Sequence, residues 1–521
     1  RAGVDRDEAT RAKVKTLQEE LVKIGQEFSA NIARDSRSIE VDAKTLEGLP
    51  GDWIRAHAPD ATSGKVKVST DYPDYYPFMT YCRDAAARKA LYLAFRQRAT
   101  PGNVDVLKRM LSKRWELATL LGYSSWAAYI TEDKMIGSDV KAADFIERIA
   151  RAAEARMKAD YATLLEEKKK DDPKATEVFD YDRAFYEERV KSSRYAFDSQ
   201  AVRPYFEYGR VKKGLFSVTA QMFGVRYERS SVGTWHADVE AWDVFDAASG
   251  KSLGRFYLDM HPREAKFKHA AMFPVVSGVE NAQTPEAALV CNFPKAHGDD
   301  PALMEYSDVR TFFHEFGHLL HHLLGGHQRW AANSGIRTEW DFVEAPSQML
   351  EEWVLDYETL KSFAVHHKTG EPIPKDVVTR LRAAQEFGKG IQVRHQMFYA
   401  SLSLALYRLN PAGIDTTAIA RELQNRYSAF KYVEGSCWEA SFGHLDDYSA
   451  IYYTYMWSLV IAKDLFGEFR KHGLLDAKTA GRYREKILAP GGSQPAAVLV
   501  KDFLGRDAGF DAYESWLNEG A

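Results

Sequence analysis

The chain has 521 residues, 45% of them hydrophobic and 28% charged, so it can bury a large core and form more than one domain. Its 70 Lys and Arg nearly balance its 74 Asp and Glu, giving a formal net charge of -4, which predicts no general attraction to nucleic acid or to an anionic membrane. The three cysteines form no CxxC pair, and no run approaches about 18 apolar residues, so neither a disulfide framework nor a membrane span is expected.

Several long segments have the periodicity of amphipathic helices. In residues 6–35 the apolar side chains recur at three- and four-residue intervals, at Val14, Leu17, Leu21, Ile24 and Phe28. Similar spacing appears in residues 103–123, 142–169 and 377–409. The sequence therefore predicts a mainly α-helical protein.

One region has the composition of β-strands. Residues 234–260 contain β-branched and aromatic runs on either side of an Ala-Ser-Gly turn, which is typical of a β-hairpin. Residues 287–293, "AALVCNF", predict a neighbouring strand. We therefore expect a small sheet shortly before the segment "HEFGH".

The segment "HEFGH", residues 314–318, is predicted to lie on a helix. Ser307 is a candidate N-cap, apolar residues fill the helical positions between, and Gly325 and Gly326 supply a C-terminal stop. Two histidines four residues apart on a helix project from the same face. Their side chains are therefore candidates for a shared role.

His314 and His318 can place two imidazole nitrogens on one zinc ion at about 2.0–2.1 Å each. Glu315, beside the first histidine, can then act on a water molecule without being a ligand. Because such histidine pairs also occur by chance on helix surfaces, the motif alone does not establish a metal site.

A catalytic zinc ion needs a third protein ligand. Glu344, in "EWDFVEAPSQMLEEW", is the leading candidate because it is predicted to begin another helix among apolar neighbours, where an unpaired carboxylate would be costly. Glu339, Glu351 and Glu352 are rivals for this role. Gln348 and Glu351 are also candidates for orienting the ligand histidines.

Other polar residues near these motifs have weaker signals. His321, His322 and His327 are expected to have surface or hydrogen-bonding roles, although His322 could extend the metal-binding face. Further along the chain, Tyr448, Tyr452 and Tyr455 recur at four- and three-residue intervals, which predicts one helix face with three phenols. Aromatic stripes at this spacing are most often part of a core.

"FFHEFGHLLHHLL" followed by "DFVEAPSQMLEEW" resembles the zinc-dependent thimet oligopeptidase, neurolysin and oligopeptidase A family, with dipeptidyl carboxypeptidase as a close relative. The resemblance extends to "SFGHLDDYSAIYYTYMWS" and "ILAPGGSQPAAVLVKDFLGRD" and spans nearly the whole chain. It implies a mainly α fold, an elongated two-lobed helical body with a deep central channel and a small β-sheet near the zinc site.

The resemblance also implies site residues. His314, His318 and Glu344 match the family's zinc ligands, and Glu315 matches its catalytic glutamate. Tyr448 and Tyr455 match family tyrosines that contact the substrate or stabilise the oxyanion. His444 and Tyr452 match further substrate-binding positions. The segment "HLDDY", which contains this last histidine, is one residue shorter than the family's glycine-rich counterpart and has two added aspartates.

We expect four segments along the chain. These are a helical lobe at 1–195, a zinc-binding catalytic lobe with the small sheet at 196–370, a return to the helical lobe at 371–440, and a C-terminal part of the catalytic lobe at 441–521. Because the sequence starts at Arg1, we also expect that a tag, a targeting segment or a piece of the fold precedes it.

The predicted activity is that of a zinc-dependent metalloendopeptidase, an oligopeptidase with one Zn²⁺ per chain. It would hydrolyse internal bonds of short oligopeptides, with metal-activated water, Glu315 as general base and tyrosine donors for the oxyanion. We expect a monomer whose partners are peptide substrates, with no nucleic acid and no membrane. A cytoplasmic location is expected, the alternative being an exported form with a removed signal peptide.

Three other functions are alternatives to the predicted oligopeptidase. A dipeptidyl carboxypeptidase would use the same chemistry but release C-terminal dipeptides. A non-catalytic peptide-binding protein is disfavoured because binding has no need of Glu315. A purely structural zinc site is disfavoured because such sites favour four ligands, often cysteines, and no cysteine is near these motifs.

Overall fold

The computed structural model describes residues 3–264, 266–296, 298 and 301–520. The α-helices are α1 (Glu8–Arg34), α2 (Gly51–Ala56), α3 (Tyr72–Tyr81), α4 (Ala85–Arg96), α5 (Gly102–Leu120), α6 (Trp126–Thr131), α7 (Asp139–Asp171), α8 (Arg183–Tyr195), α9 (Ser199–Val202), α10 (Tyr208–Phe223), α11 (Tyr306–Leu324), α12 (Glu344–Leu350), α13 (Tyr357–Lys361), α14 (Lys375–Glu386), α15 (Lys389–Arg408), α16 (Thr416–Tyr427), α17 (His444–Asp447), α18 (Thr454–His472), α19 (Ala477–Tyr483), α20 (Ala496–Leu504) and α21 (Asp511–Asn518). The β-strands are β1 (Ser38–Asp42), β2 (Lys65–Ser69), β3 (Val225–Arg229), β4 (Glu240–Asp246), β5 (Ser252–Asp259), β6 (Ala271–Val276) and β7 (Glu286–Val290). The predicted mainly α fold is confirmed.

The chain forms two compact units. The first comprises the described residues up to Arg194 together with Phe387–Tyr453, and the second comprises those of Tyr195–Glu386 together with Thr454–Gly520. The predicted boundaries at 195, 370 and 440 stay a prediction. Among the described residues, no helix is long and apolar enough to span a membrane.

The first unit is built from helices and a two-stranded sheet, β1–β2. Its opening helix α1 buries Val14, Leu17, Ile24 and Phe28, as the periodicity of the sequence predicts. This helix packs along α5, and the long helix α7 packs along α15. These pairs bury the apolar face of each helix and form much of the core of this unit.

The second unit contains the predicted small sheet, which has five strands in the order β3-β4-β5-β7-β6. Strands β4 and β5 form the predicted antiparallel hairpin, with Ala241 opposite Tyr257. The segment predicted as a neighbouring strand supplies β7, which pairs with β5 in parallel. Strand β6 pairs with β7 and lies at the edge of the sheet.

The helix that carries "HEFGH" is α11, and its N-cap differs from the prediction. The cap residue is Glu305, whose side chain accepts from the backbone N–H of Asp308, while the Asp308 carboxylate accepts from the backbone N–H of Glu305. This reciprocal pair satisfies two backbone N–H groups at the start of the helix. The prediction of Ser307 as N-cap is therefore wrong, because Ser307 lies within the first turn. The predicted C-terminal stop is confirmed, since the helix ends at Leu324 and Gly325 is its C-cap.

The apolar side of α11 packs against the sheet. The ring of Phe316 lies 5.7 Å from that of Phe256 on β5 and 5.6 Å from that of Phe216 on α10, measured between centroids. Phe312, Leu319 and other apolar residues of the helix are also buried. Aromatic contacts of this kind add about 0.5–1.5 kcal/mol each beyond the burial of area, so they fix the rotation of α11 and the direction of its polar face.

Candidate metal centre

Three side chains from two helices of the second unit converge on one point. His314 and His318 lie one turn apart on α11, and Glu344 is the first residue of α12. One ligand atom from each lies within 4.8 Å of the others. The Nε2 atoms of His314 and His318 are 3.2 and 3.0 Å from Glu344 Oε2. The structure therefore brings together the three residues predicted as metal ligands.

Gly317 allows α12 to approach α11 this closely. A Cβ atom at this position would lie 2.6 Å from Ser347 Cα and 3.2 Å from the carbonyl oxygen of Pro346. The Ser347 hydroxyl donates to the backbone carbonyl of Glu344, at 2.9 Å. The glycine of "HEFGH" thus has a packing role, because it lets the backbone that carries Glu344 come within reach of the two histidines.

A second glutamate holds the first histidine. Glu351 Oε1 lies 2.7 Å from His314 Nδ1, and Arg310 donates to the other carboxylate oxygen of Glu351. Gln348 behaves differently, because its side-chain nitrogen donates to the backbone carbonyl of Tyr455 at 2.9 Å. Of the two residues considered for orienting a ligand histidine, Glu351 therefore contacts one and Gln348 contacts the backbone of α18.

The rivals of Glu344 have other partners. The Glu339 carboxylate accepts from the backbone N–H of Ala496, at 3.0 Å. Glu352 forms an ion pair with Lys463. Neither belongs to the group of three residues that could hold a metal ion within the described part of the chain, so the geometry favours Glu344.

The charged side chains of this group shift one another's pKa values. Burial lowers the pKa of His314, but hydrogen bonds to Glu344 and Glu351 outweigh burial, and the pKa lies well above its usual range. Burial raises the pKa of Glu344, but His318 and His314 outweigh it and hold this pKa well below its usual range. Burial likewise raises the pKa of Glu351, but Arg310 and His314 lower it to about 2. The two carboxylates are therefore ionised at neutral pH.

Glu315 is buried beside the ligand group, with 7% of its surface exposed. Burial raises its pKa, and the nearby His314 and His318 lower it by less. The backbone N–H of Met272 on β6 also lowers this pKa, to a smaller degree. Helix α11 packs against the edge strand β6 beside this side chain. In this buried setting the Glu315 carboxyl group holds a proton more readily than it would in water.

The residues present fit a zinc ion. Two imidazole nitrogens and one carboxylate oxygen are the donor set of many catalytic zinc sites, which use three protein ligands and keep a fourth position open. The hydrogen bond from His314 Nδ1 to Glu351 directs the Nε2 atom of this ring towards Glu344 and the other ligand atoms.

The remaining histidines of α11 and its C-terminal loop lie outside this group. His322 Nε2 lies 3.1 Å from the backbone carbonyl of Val276, and His327 Nε2 lies 3.0 Å from that of Leu253. His321 is fully buried, and burial lowers its pKa to about 3. These contacts agree with the hydrogen-bonding role expected for His322 and do not extend the metal-binding face.

The residues predicted to contact substrate fall on α17, on the turn that follows it and on α18. Helix α17 begins at His444, whose ring lies 5.3 Å from that of Tyr448 and 5.1 Å from that of Tyr452. Tyr455 lies on α18 in the second unit. The prediction of one helix face with three phenols is wrong, because α18 begins only at Thr454, after a turn in which Ala450 has a left-handed φ of 64°.

A mainly helical chain in which an HExxH helix and a glutamate of the following helix present a three-residue metal-ligand group has the features of a metallopeptidase. The chain belongs to peptidase family M3, whose sequence profile matches residues 78–519. The predicted resemblance is thereby confirmed.

Named relatives agree with this family. The chain is 32% identical over 522 residues to a thimet-like oligopeptidase from Dictyostelium discoideum, covering 96% of this chain and 77% of the relative. It is 31% identical over 538 residues to oligopeptidase A from Haemophilus influenzae, covering 98% and 78%. The fold is similar to that of PZ peptidase A, solved with an inhibitor, at a TM-score of 0.59 and 13% identity, covering 99% of this chain and 76% of that one.

Proposed function

We propose that this protein is a zinc-dependent oligopeptidase that hydrolyses internal peptide bonds of short peptides. The observation that carries the proposal is the approach of ligand atoms of His314, His318 and Glu344 within 4.8 Å of one another, with Glu315 next in sequence to the first of them. Membership of peptidase family M3 and the similarity to proteins named oligopeptidases support the choice of peptides as substrates.

His314, His318 and Glu344 would hold the metal ion. When bound, zinc would supply Lewis-acid polarisation of the scissile carbonyl and lower the pKa of a water molecule. Glu315 would accept a proton from the attacking water and deliver it to the nitrogen of the leaving amine. Its buried position and its raised pKa suit a group that must hold a proton between these two transfers.

Tyrosine hydroxyls would stabilise the negative charge that develops on the carbonyl oxygen. Tyr455 is our first candidate and Tyr448 the second, with His444 and Tyr452 in substrate binding. A donor placed where charge develops stabilises the transition state more than the ground state, so it raises turnover. These four assignments rest on the match of each position to the family pattern.

The edge strand β6 would align the substrate backbone. A strand at the edge of a sheet can pair with an extended peptide through main-chain hydrogen bonds. Helix α11, which carries Glu315, packs against this strand, and the side chains of Phe273 and Val275 are 40% and 52% exposed. An extended peptide paired here would lie beside the proposed base and would meet apolar side chains.

The test is mass spectrometry of a peptide of about ten residues incubated with the protein, with and without a zinc chelator. Internal cleavage that the chelator abolishes and added zinc restores would support the oligopeptidase. Stepwise release of C-terminal dipeptides would replace it with a dipeptidyl carboxypeptidase. Intact peptide after incubation with zinc-loaded protein would leave a peptide-binding protein without catalysis as the better account.

Further parts of the proposal concern the state of the protein. We propose a monomer that acts on free peptides in the cytoplasm and needs no nucleic acid or membrane. Light scattering of the purified protein tests the first statement, and a second copy in stable association would contradict it.

A further inference from the structure

The segment that carries His444 and Tyr448 has little structure of its own. Helix α17 has only four residues, too few to be stable alone. Its N-cap Gly443 offers no side chain, and residues 448–453 form turns that include the left-handed Ala450. Contacts from elsewhere must therefore fix the direction of the His444 and Tyr448 side chains.

Arg114 of α5 supplies three of these contacts. Its Nη1 atom donates to the backbone carbonyl of Leu445 at 2.8 Å and to the Tyr407 hydroxyl at 2.6 Å. Its Nη2 atom donates to the backbone carbonyl and to the carboxylate of Asp446, both at 2.9 Å. All four N–H groups of the two terminal nitrogens are thus used, and three of them hold two successive residues of α17.

The guanidinium group is held firmly in place. Arg114 is 7% exposed, and its Cζ atom lies 5.2 Å from the ring centroids of both Trp126 and Tyr407. Two aromatic rings therefore contact the cation, an arrangement that strengthens as water is excluded. A planar, delocalised cation with a fixed fork of donors suits this place, whereas a lysine could not reach the same acceptors.

Neighbouring groups hold the same segment. The Tyr407 hydroxyl donates to the Leu445 carbonyl at 2.5 Å, and the Trp126 indole N–H donates to the Ser449 hydroxyl at 2.9 Å. On the opposite helix α1, a Cβ atom at Gly25 would lie 2.5 Å from Asp446 Oδ2. The carboxylate therefore has little room to move away from Arg114.

We propose that Arg114 is a positioning residue for peptide hydrolysis, because it fixes α17 and thereby the side chains of His444 and Tyr448 on either side of the clamped residues Leu445 and Asp446. This inference rests on the proposed function, in which His444 and Tyr448 contact the substrate. Arg114 itself touches neither substrate nor metal.

The experiment compares Arg114→Met in two backgrounds of the full chain, the wild type and the double variant His444→Ala with Tyr448→Phe. In the wild type we expect kcat/KM for a fluorogenic peptide to fall about 10²-fold, since small displacements of binding groups have effects of this size. In the double variant we expect less than about a threefold further loss, because residues that act through one another are not additive. An equal loss in both backgrounds would overturn the proposal.

Hydrogen exchange provides a second readout that does not depend on activity. Arg114→Met should speed amide exchange in peptides that cover 444–449 and leave exchange in the second unit unchanged. Tyr407→Phe removes one hydroxyl and keeps the ring, so it should also speed exchange at 444–449, to a smaller degree. This variant takes the place of Arg114→Met if Arg114→Met does not fold. Unchanged exchange at 444–449 in the variant used would contradict the clamp.

The matched control is Arg109→Met on the same helix. Arg109 forms an exposed ion pair with Glu27, and such pairs contribute little, so neither kinetics nor exchange at 444–449 should change. Failure of the proposed function can be told apart from failure of this inference. If the proposed function is wrong, the zinc-loaded wild type cleaves no peptide, and the exchange experiment still decides whether Arg114 fixes the segment.

Discussion

Glu351 Oε1 lies 2.7 Å from His314 Nδ1, and the same carboxylate accepts a hydrogen bond from Arg310. Because Arg310 and His314 lower the pKa of Glu351 to about 2, the carboxylate is ionised and accepts a hydrogen bond from the Nδ1–H group of His314. This fixes the tautomer of the imidazole and directs its Nε2 atom towards Glu344, 3.2 Å away.

Removing this acceptor should weaken metal binding. We predict that Glu351→Gln lowers zinc affinity about 10–100-fold, the usual effect of losing a partner of a ligand histidine. Competition with a chromophoric zinc chelator measures it. Glu352→Gln is the matched control, because Glu352 pairs with Lys463 and should leave zinc affinity unchanged. Equal affinity in the two variants would show that Glu351 does not support the ligand.

The close approach of α12 to α11 should depend on Gly317. In Gly317→Ala the new methyl group would meet the backbone of Ser347, so α12 must shift and carry Glu344 with it. We predict a loss of stability of about 1–3 kcal/mol together with weaker zinc binding, measured by thermal unfolding and chelator competition.

A second glycine offers a control for this substitution. Gly467 lies within α18, and a Cβ atom there would meet nothing within 4 Å. Gly467→Ala should therefore be neutral or stabilise by up to about 1 kcal/mol, the difference in helix propensity. If Gly317→Ala behaved like this control, the packing role assigned to Gly317 would be incorrect.

The two tyrosine candidates can be separated by kinetics. We predict that Tyr455→Phe lowers kcat about 10²–10³-fold with little change in KM, because a donor to the developing oxyanion acts mainly in the transition state. Tyr448→Phe should raise KM if this residue mainly binds substrate. A large kcat effect in Tyr448→Phe alone would exchange the two roles.

The stability of the second unit should fall in acid through Asp259. This residue of β5 is 3% exposed; burial raises its pKa, but hydrogen bonds from Arg263, Trp235 and Lys266 lower it to about 2, from 3.8. Since the folded pKa is the lower one, its contribution is present above pH 4 or so and is lost as the pH falls towards 2.

Comparison with Asp259→Asn isolates this effect. Between about pH 5 and pH 3 the wild type should lose about 1 kcal/mol more unfolding free energy than the variant. Urea unfolding at several pH values measures the difference. Glu358→Gln, which alters an exposed ion pair with Lys361, should keep the pH dependence of the wild type. Parallel curves for wild type and Asp259→Asn would contradict the assignment.

Local patterns in the sequence predicted the helices, the hairpin and the pairing of His314 with His318, with Glu344 as the leading candidate for the third ligand. These features follow from spacing along one or two adjacent elements. The N-cap of α11 was missed because a glutamate and an aspartate share that cap in place of the usual serine. Likewise, helical spacing of the tyrosines did not reveal that Ala450 interrupts the helix.

Contacts between segments that are distant along the chain could not be predicted from the sequence. Arg114 reaches the carbonyl of Leu445 across 331 residues, and nothing in its own helix distinguishes it from Arg109. The packing role of Gly317 is similar, because a glycine within an HExxH motif gives no sign of the backbone that lies against it. Such roles depend on tertiary packing, which periodicity and propensity do not specify.

The most direct test of the account is the zinc content and peptide hydrolysis rate of Glu315→Gln, measured side by side with the wild type. The substitution keeps the three ligands and removes the base, so we predict unchanged zinc content and a rate about 10²–10⁴-fold lower. A zinc-loaded Glu315→Gln variant that hydrolyses the peptide at nearly the wild-type rate would contradict it.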